Sequence, residues 1–237
     1  MRKFFVQLSA FVNISLVCLS LVSCNPIDEP GGGGNNGGGN NSSNNGDNGS
    51  GDKKLTLEAV DMGLPSGLLW ANKSLLDLNY RYTADTYRNR FAFAWGRVSP
   101  QNSYSEHYYL EEDIENISGN VKYDAATKLC GEGWRIPTAE EWEELYTNCT
   151  ISAQYLSTPT LTSKINGNTL EIPVNGILTS YAHTNKGCCW YWSAISVDER
   201  TAYAFTFYQG LHGIEACGVV PMEKGCGLGI IPVRDPE

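Results

Sequence analysis

The folded part of this chain predicts an α+β architecture, and three observations support it. Two stretches near the middle combine helix-start chemistry with helical spacing of apolar residues. The C-terminal half then changes to short alternating segments, separated by loops rich in Gly, Asn, Ser and Thr. Those segments follow one another without helices between them, which favours antiparallel pairing.

Residues 55–60 alternate and lead into a turn-rich stretch, Asp61-Met62-Gly63-Leu64-Pro65-Ser66-Gly67. Leu68-Leu69-Trp70-Ala71 then reads as a buried strand. Residues 91–95 alternate aromatic and small side chains, as a strand or an extended core segment does. Residues 125–130 predict a short helix, capped by Asp124 at its start and ended by Gly131 in the left-handed conformation. Residues 133–137 read as an extended link. Thr138-Ala139-Glu140-Glu141 is a capping box opening a helix to about Asn148, with Ala139, Trp142, Leu145 and Tyr146 at helical spacing. Its first turn carries two carboxylates, where the helix dipole favours negative charge. Segments 169–173, 189–195, 202–208 and 229–233 predict strands. Among them, residues 201–207 place Tyr203, Phe205 and Phe207 on one face.

The N-terminus predicts where this domain is held. Arg2 and Lys3 precede a mostly apolar stretch, residues 4–19, that is short for a membrane span and interrupted by polar residues. Leu21-Val22-Ser23-Cys24 follows and resembles a bacterial lipobox. Residues 1–23 are therefore expected to be a lipoprotein signal peptide and Cys24 the lipidated residue. Residues 25–30 are polar and acidic, similar to the export signals of surface lipoproteins in Bacteroides-type bacteria. Residues 31–52 comprise ten Gly, seven Asn, three Ser and two Asp. Nothing there can offset the entropy of ordering, so residues 24–54 read as a lipidated, disordered tether with a reach of about 25 Å. Residues 55–237 form the domain. The expected location is the outer membrane, surface-exposed, held only by the lipid at Cys24.

Cleavage would remove Arg2 and Lys3 and move the net charge from −9 to −11. Such a chain does not attract nucleic acid or an anionic lipid surface. Six cysteines remain in the domain: Cys130, Cys149, Cys188, Cys189, Cys217 and Cys226. An even set in an exported protein predicts disulfides. Cys217 and Cys226 flank a short Gly- and Pro-containing segment, read here as a loop closed by a bridge between them. No C-x-x-C pair occurs, and His107, His183 and His212 lack ligand spacing, so neither a metal nor a cofactor is expected.

An ordered set of motifs carries a family resemblance. Val60-Asp61-Met62-Gly63-Leu64-Pro65-Ser66-Gly67-Leu68-Leu69-Trp70-Ala71 opens it. Phe93-Ala94-Trp95-Gly96, Tyr123-Asp124-Ala125-Ala126, Gly133-Trp134-Arg135-Ile136-Pro137-Thr138, Tyr191-Trp192-Ser193 and Pro232-Val233-Arg234 follow. The set resembles the Fibrobacter succinogenes major paralogous domain of Bacteroidota lipoproteins. The resemblance implies a C-type lectin-like fold of the formylglycine-generating-enzyme type: two short helices on a twisted, mainly antiparallel sheet, long irregular loops and chain ends close together. It also implies structural roles for most motif residues. Trp70, Trp95, Trp134, Trp142 and Trp192 are expected in the core, and Arg135 to satisfy carbonyls or a carboxylate. The chain departs from the family at Asn72-Lys73-Ser74, where members often carry a cysteine. Calcium-dependent lectins use contiguous Glu-Pro-Asn and Trp-Asn-Asp. Here Glu171-Ile172-Pro173-Val174-Asn175 and Trp192-Ser193-Ala194 stand instead, without clustered oxygen ligands.

In folds of this type the irregular loops and late strands hold ligand. That implies residues 179–190 and 208–226 here, with Tyr181, His183, Tyr208, Gln209, His212 and Glu215 as candidate ligand-binding residues. Tyr and His supply amphipathic contacts, and Gln and Glu supply hydrogen bonds. The expected role is non-catalytic: an adhesion or ligand-binding module for a glycan or a cell-surface protein. No Ser-His-Asp or Cys-His arrangement is identifiable. Late cysteines bind copper in formylglycine-generating enzymes, but Cys226 lacks the surrounding active-site sequence. Two alternatives stand beside it: a structural subunit of a cell-envelope or fimbria-like assembly, and a retroelement-diversified binding protein varied near residues 208–215.

Overall fold

The computed structural model of the chain describes residues 57–75, 92–101, 108, 110, 112–131, 133–153, 158–179, 183–184, 188–210 and 213–236. The expected signal peptide, Cys24 and the tether lie outside the described residues. The strands are β1 (Ala59–Asp61), β2 (Leu69–Ala71), β3 (Cys149–Ser152), β4 (Thr160–Ser163), β5 (Thr169–Glu171), β6 (Ile177–Leu178), β7 (His183–Thr184), β8 (Cys188–Ser196), β9 (Thr201–Gly210), β10 (Gly213–Glu223) and β11 (Val233–Arg234). Among the described residues, helices α1 (Ala125–Cys130) and α2 (Ala139–Thr147) lie between β2 and β3. Every pairing between the named strands is antiparallel, so the fold is α+β.

Both helices start and stop where their local chemistry demands. The Asp124 carboxylate accepts from the backbone N–H groups of Ala126 and Thr127 at the head of α1. Gly131 ends that helix at φ +65°, a conformation that a side chain would strain. At α2 the capping box is complete, with Thr138 and Glu141 each satisfying the other's backbone N–H. The helix buries Ala139, Trp142 and Leu145.

The long sheet has the order β10-β9-β8. Tyr191, Phe205 and Val219 share one row across it, and Cys189, Phe207 and Cys217 the next. This face packs on α2, where Trp142 stacks on Phe205 with ring centroids 4.5 Å apart and sits 4.6 Å from Trp70. The opposite face carries Trp192, Ala204 and Val220. Residues 92–95 cover it, the Trp192 indole donating to the Phe93 carbonyl at 2.6 Å. All five expected core tryptophans are buried.

β8 loses register with β9 between Trp192 and Ser196. A bulge frees backbone groups from the ladder, and here other segments take them up. The Trp142 and Trp95 indoles donate to the carbonyls of Trp192 and Ser193 at 3.2 and 2.8 Å. The Ala194 N–H donates to the Pro137 carbonyl, and its own carbonyl accepts from Ile117. A second sheet, β1-β2-β11, has strands from both ends of the domain flanking β2. The third sheet, β3-β4-β5, continues from α2.

Two expectations are corrected. Residues 218–225 are not a loop: Gly218 to Glu223 belong to β10, in unbroken register with β9. Cys217 therefore lies six extended residues, about 20 Å, from Glu223. A turn holds Cys226 beside Glu223, its N–H donating to the Glu223 carbonyl at 2.9 Å. A turn spans under about 7 Å, so the two Cα atoms are about 13 Å or more apart, beyond the 7 Å limit for a bridge. Cys189 and Cys217 flank Phe207 two strand spacings apart, about 10 Å, and cannot pair either. None of the six cysteines forms a disulfide. Segment 229–233 supplies only β11, with Gly229 touching β8 through one parallel bridge at Tyr191. Of the two readings for residues 91–95, the extended core segment holds for residues 92–95: all four are buried, with single bridges from Ala92 to Gln101 and Phe93 to Leu228.

Candidate functional site

One end of the long sheet collects several of the expected ligand-binding positions. There Cys188, Tyr208 and Ala216 lie in one row, at the start of β8, near the end of β9 and near the start of β10. Gln209 pairs with Ile214, and Glu215 occupies the extra position of a bulge between Ile214 and Ala216. Tyr208 is half-buried and Ile214 exposed. His183 lies on β7, opposite Leu178 of β6. That ribbon reaches the same end, because Gly176 donates to the Cys188 carbonyl at 3.0 Å. Tyr208, Gln209 and Glu215 thus share one hairpin end, with His183 on the neighbouring ribbon. Tyr181 and His212 lie outside the described residues.

Of the residues that stand in place of a lectin calcium motif, Pro173 and Asn175 are spent on the fold. Glu171 ends β5 opposite Thr160, on the exposed side. The Asn175 carboxamide imitates a strand: its oxygen accepts from the Trp190 N–H and its nitrogen donates to the Trp190 carbonyl. The Pro173 carbonyl accepts from the Tyr191 hydroxyl at 2.6 Å. Asn175 is so close to Gly229 that a Cβ there would meet its amide nitrogen. Among the described residues, no group of three or more His, Cys, Asp or Glu side chains could hold a metal ion.

Burial governs the ionisable groups. It pushes the Cys130, Cys217 and Cys226 thiols up to about 12, with Asp124 adding to the shift at Cys130 and Glu223 at Cys226. Cys149 and Cys189 are raised for the same reason. These sulfurs stay protonated at neutral pH and behave as small apolar groups rather than nucleophiles. Asp124 is fully buried and also accepts from Gly119 and Ile136 at 2.8 and 2.9 Å. Its burial raises the carboxyl against the pull of those N–H donors. Arg135 is held by two oxygens of Glu141 at 2.8 and 2.7 Å and by Asp235 at 2.8 Å, the carboxylate role expected for it.

Two of these roles were not legible beforehand. Lys224 is buried over the Trp95 ring at 4.5 Å, its ammonium donating to the Asp198 carbonyl at 2.7 Å. Burial lowers its pKa, against the opposing pull of Asp198, Asp113 and Glu199. Nothing local in Glu223-Lys224-Gly225 marks a buried lysine. At Asn175 the sequence offers one signal, an amide two residues after a proline in a loop. No family model, curated protein or solved structure matches this chain.

Proposed function

We propose that this chain is a surface-tethered lipoprotein whose domain, C-type lectin-like in fold, binds a glycan or a cell-surface protein without catalysis, through the loop end of its long sheet. The observation that carries the proposal is the gathering of Tyr208, Gln209 and Glu215 at one hairpin end. His183 lies on the adjoining ribbon. Aromatic and amide side chains at such an end suit neutral, hydroxyl-rich ligands. Support for the fold type comes from the two short helices, the three long antiparallel strands and the strands from both domain ends beside β2. Support for the tether comes from the charged start, apolar run, lipobox and Gly/Asn spacer, which occur in the order a lipoprotein needs. A net charge near −11 after cleavage leaves neutral or cationic partners and disfavours nucleic acid.

The test is a glycan and mucin array probed with the chain from Asn25 onward, with and without EDTA. EDTA-insensitive binding that is lost in Tyr208→Ala supports the proposal. Binding abolished by EDTA would contradict the account of Asn175 as a structural residue. Silence on the array, followed by no capture of cell-surface protein, would sink the binding role.

A further inference from the structure

β10 is an edge strand, and an edge presents a row of backbone groups to any extended chain that meets it. Which groups face outward follows from the register. Lys224 donates its N–H to the carbonyl of Arg200, directly opposite in the β9–β10 ladder. Antiparallel residues alternate between facing their partner strand and facing away. Ala216, Gly218, Val220 and Met222 therefore direct their backbone groups toward β9. Cys217, Val219, Pro221 and Glu223 direct theirs outward. The β8 side agrees: Trp190 and Trp192 face away from β9, toward Asn175 and Gly229. Among the described residues, the backbone groups of Cys217, Val219 and Pro221 on this edge bond to no other strand or loop, and the Glu223 carbonyl is taken by the turn bond from the Cys226 N–H at 2.9 Å. In the middle of that edge stands an exposed proline, the one residue without an N–H.

We propose that Pro221 closes the outer edge of β10 to strand pairing and keeps the domain from joining edge to edge with a second copy. An incoming strand would find acceptors at Cys217, Val219 and Pro221, but donors only at Cys217 and Val219. The carbonyl opposite Pro221 would lose its water and gain no partner, and the ring would stand where that strand must lie. The proline costs the native sheet nothing, because position 221 donates to no strand there. The proposal is independent of the ligand-binding role. It bears on the assembly alternative, since a subunit built to add strands along β10 would leave this edge open.

The test compares the chain from Asn25 onward with Pro221→Val and Pro221→Ala by sedimentation velocity across a hundredfold concentration range. Both variants restore the N–H, and they differ in side chain. The expected result is self-association at least tenfold stronger than wild type in both, stronger in Pro221→Val. The new amide at position 221 should exchange freely in dilute solution and become protected as concentration rises. Variants as monomeric as wild type overturn the proposal, as does a wild-type chain already paired through β10. Loss of the folded circular dichroism signal in both variants overturns the register that turns position 221 outward.

Discussion

The two ends of β8 are built differently. At Ser193 to Ile195 the strand bulges away from β9, and its freed backbone holds the Trp95 indole, Pro137 and Ile117. At Cys188 the strand pairs regularly with Tyr208, and its outer neighbour is the short β6–β7 ribbon. The bulged end converts one irregularity into the junction of several segments. The regular end carries exposed and half-buried residues, among them Ile214 and Tyr208. Contacts between distant segments gather where the β8–β9 ladder breaks, and the end where β8 and β9 pair regularly carries the exposed positions, with its own bulge between Ile214 and Ala216.

The sharpest way to break this contrast lies beside the junction, at Asp124. Asp124→Ala removes the acceptor of four backbone N–H groups, those of Ala126, Thr127, Gly119 and Ile136. We expect a loss of about 4 kcal/mol or more in urea unfolding. A loss under about 1 kcal/mol would mean that the junction does not depend on this carboxylate.

Next come the tryptophans. Trp142→Phe strips the Trp192 carbonyl of its indole donor and weakens the stack on Phe205, for an expected cost of about 2–3 kcal/mol. Trp70→Phe loses similar volume, but the Trp70 indole N–H has no partner to lose, so about 1 kcal/mol is expected. The reverse order in thermal melts would show that hydrogen bonding is not what distinguishes them.

The thiols give a pH dependence. Unfolded thiols ionise near 9.0, whereas folded Cys130, Cys217 and Cys226 hold their protons to about 12. The folded state binds these protons more tightly, so the stability they contribute is whole below pH 9 and is lost as pH rises from 9 toward 12. The melting temperature should fall through that window, and Cys226→Ala should flatten the fall. Thiol titration under denaturing, non-reducing conditions should find all six domain cysteines reduced.

The smallest effect on stability is expected at the regular end. Tyr208→Ala should cost under about 1 kcal/mol while abolishing array binding. A cost above about 3 kcal/mol would make Tyr208 a core residue and remove it from the ligand-binding proposal.

Features that depend on a few adjacent residues were legible in advance. Asp124, Gly131, Thr138 and Glu141 announce both helices, because capping is settled within one turn of chain. The alternation of Tyr203, Phe205 and Phe207 announces β9, since its period alone sorts inner from outer side chains. At the candidate site, Tyr208, Gln209 and Glu215 were legible as positions near one another in sequence. That they share a hairpin end depends on β10, which the sequence conceals. Gly218 and Pro221 break the strand pattern locally, and they are tolerated because Pro221 faces away from β9 and needs no partner there.

The α+β class, the two helices with their caps, the aromatic core residues and the acidic balance can all be read from the chain, because each follows from local chemistry or composition. The fate of the cysteines, the use of Asn175 as a substitute strand, the burial of Lys224 and the edge position of Pro221 emerge only once the chain is folded. Each of those depends on which distant segment lies alongside, and pairing between distant segments is set by packing across the whole core rather than by neighbours in the chain.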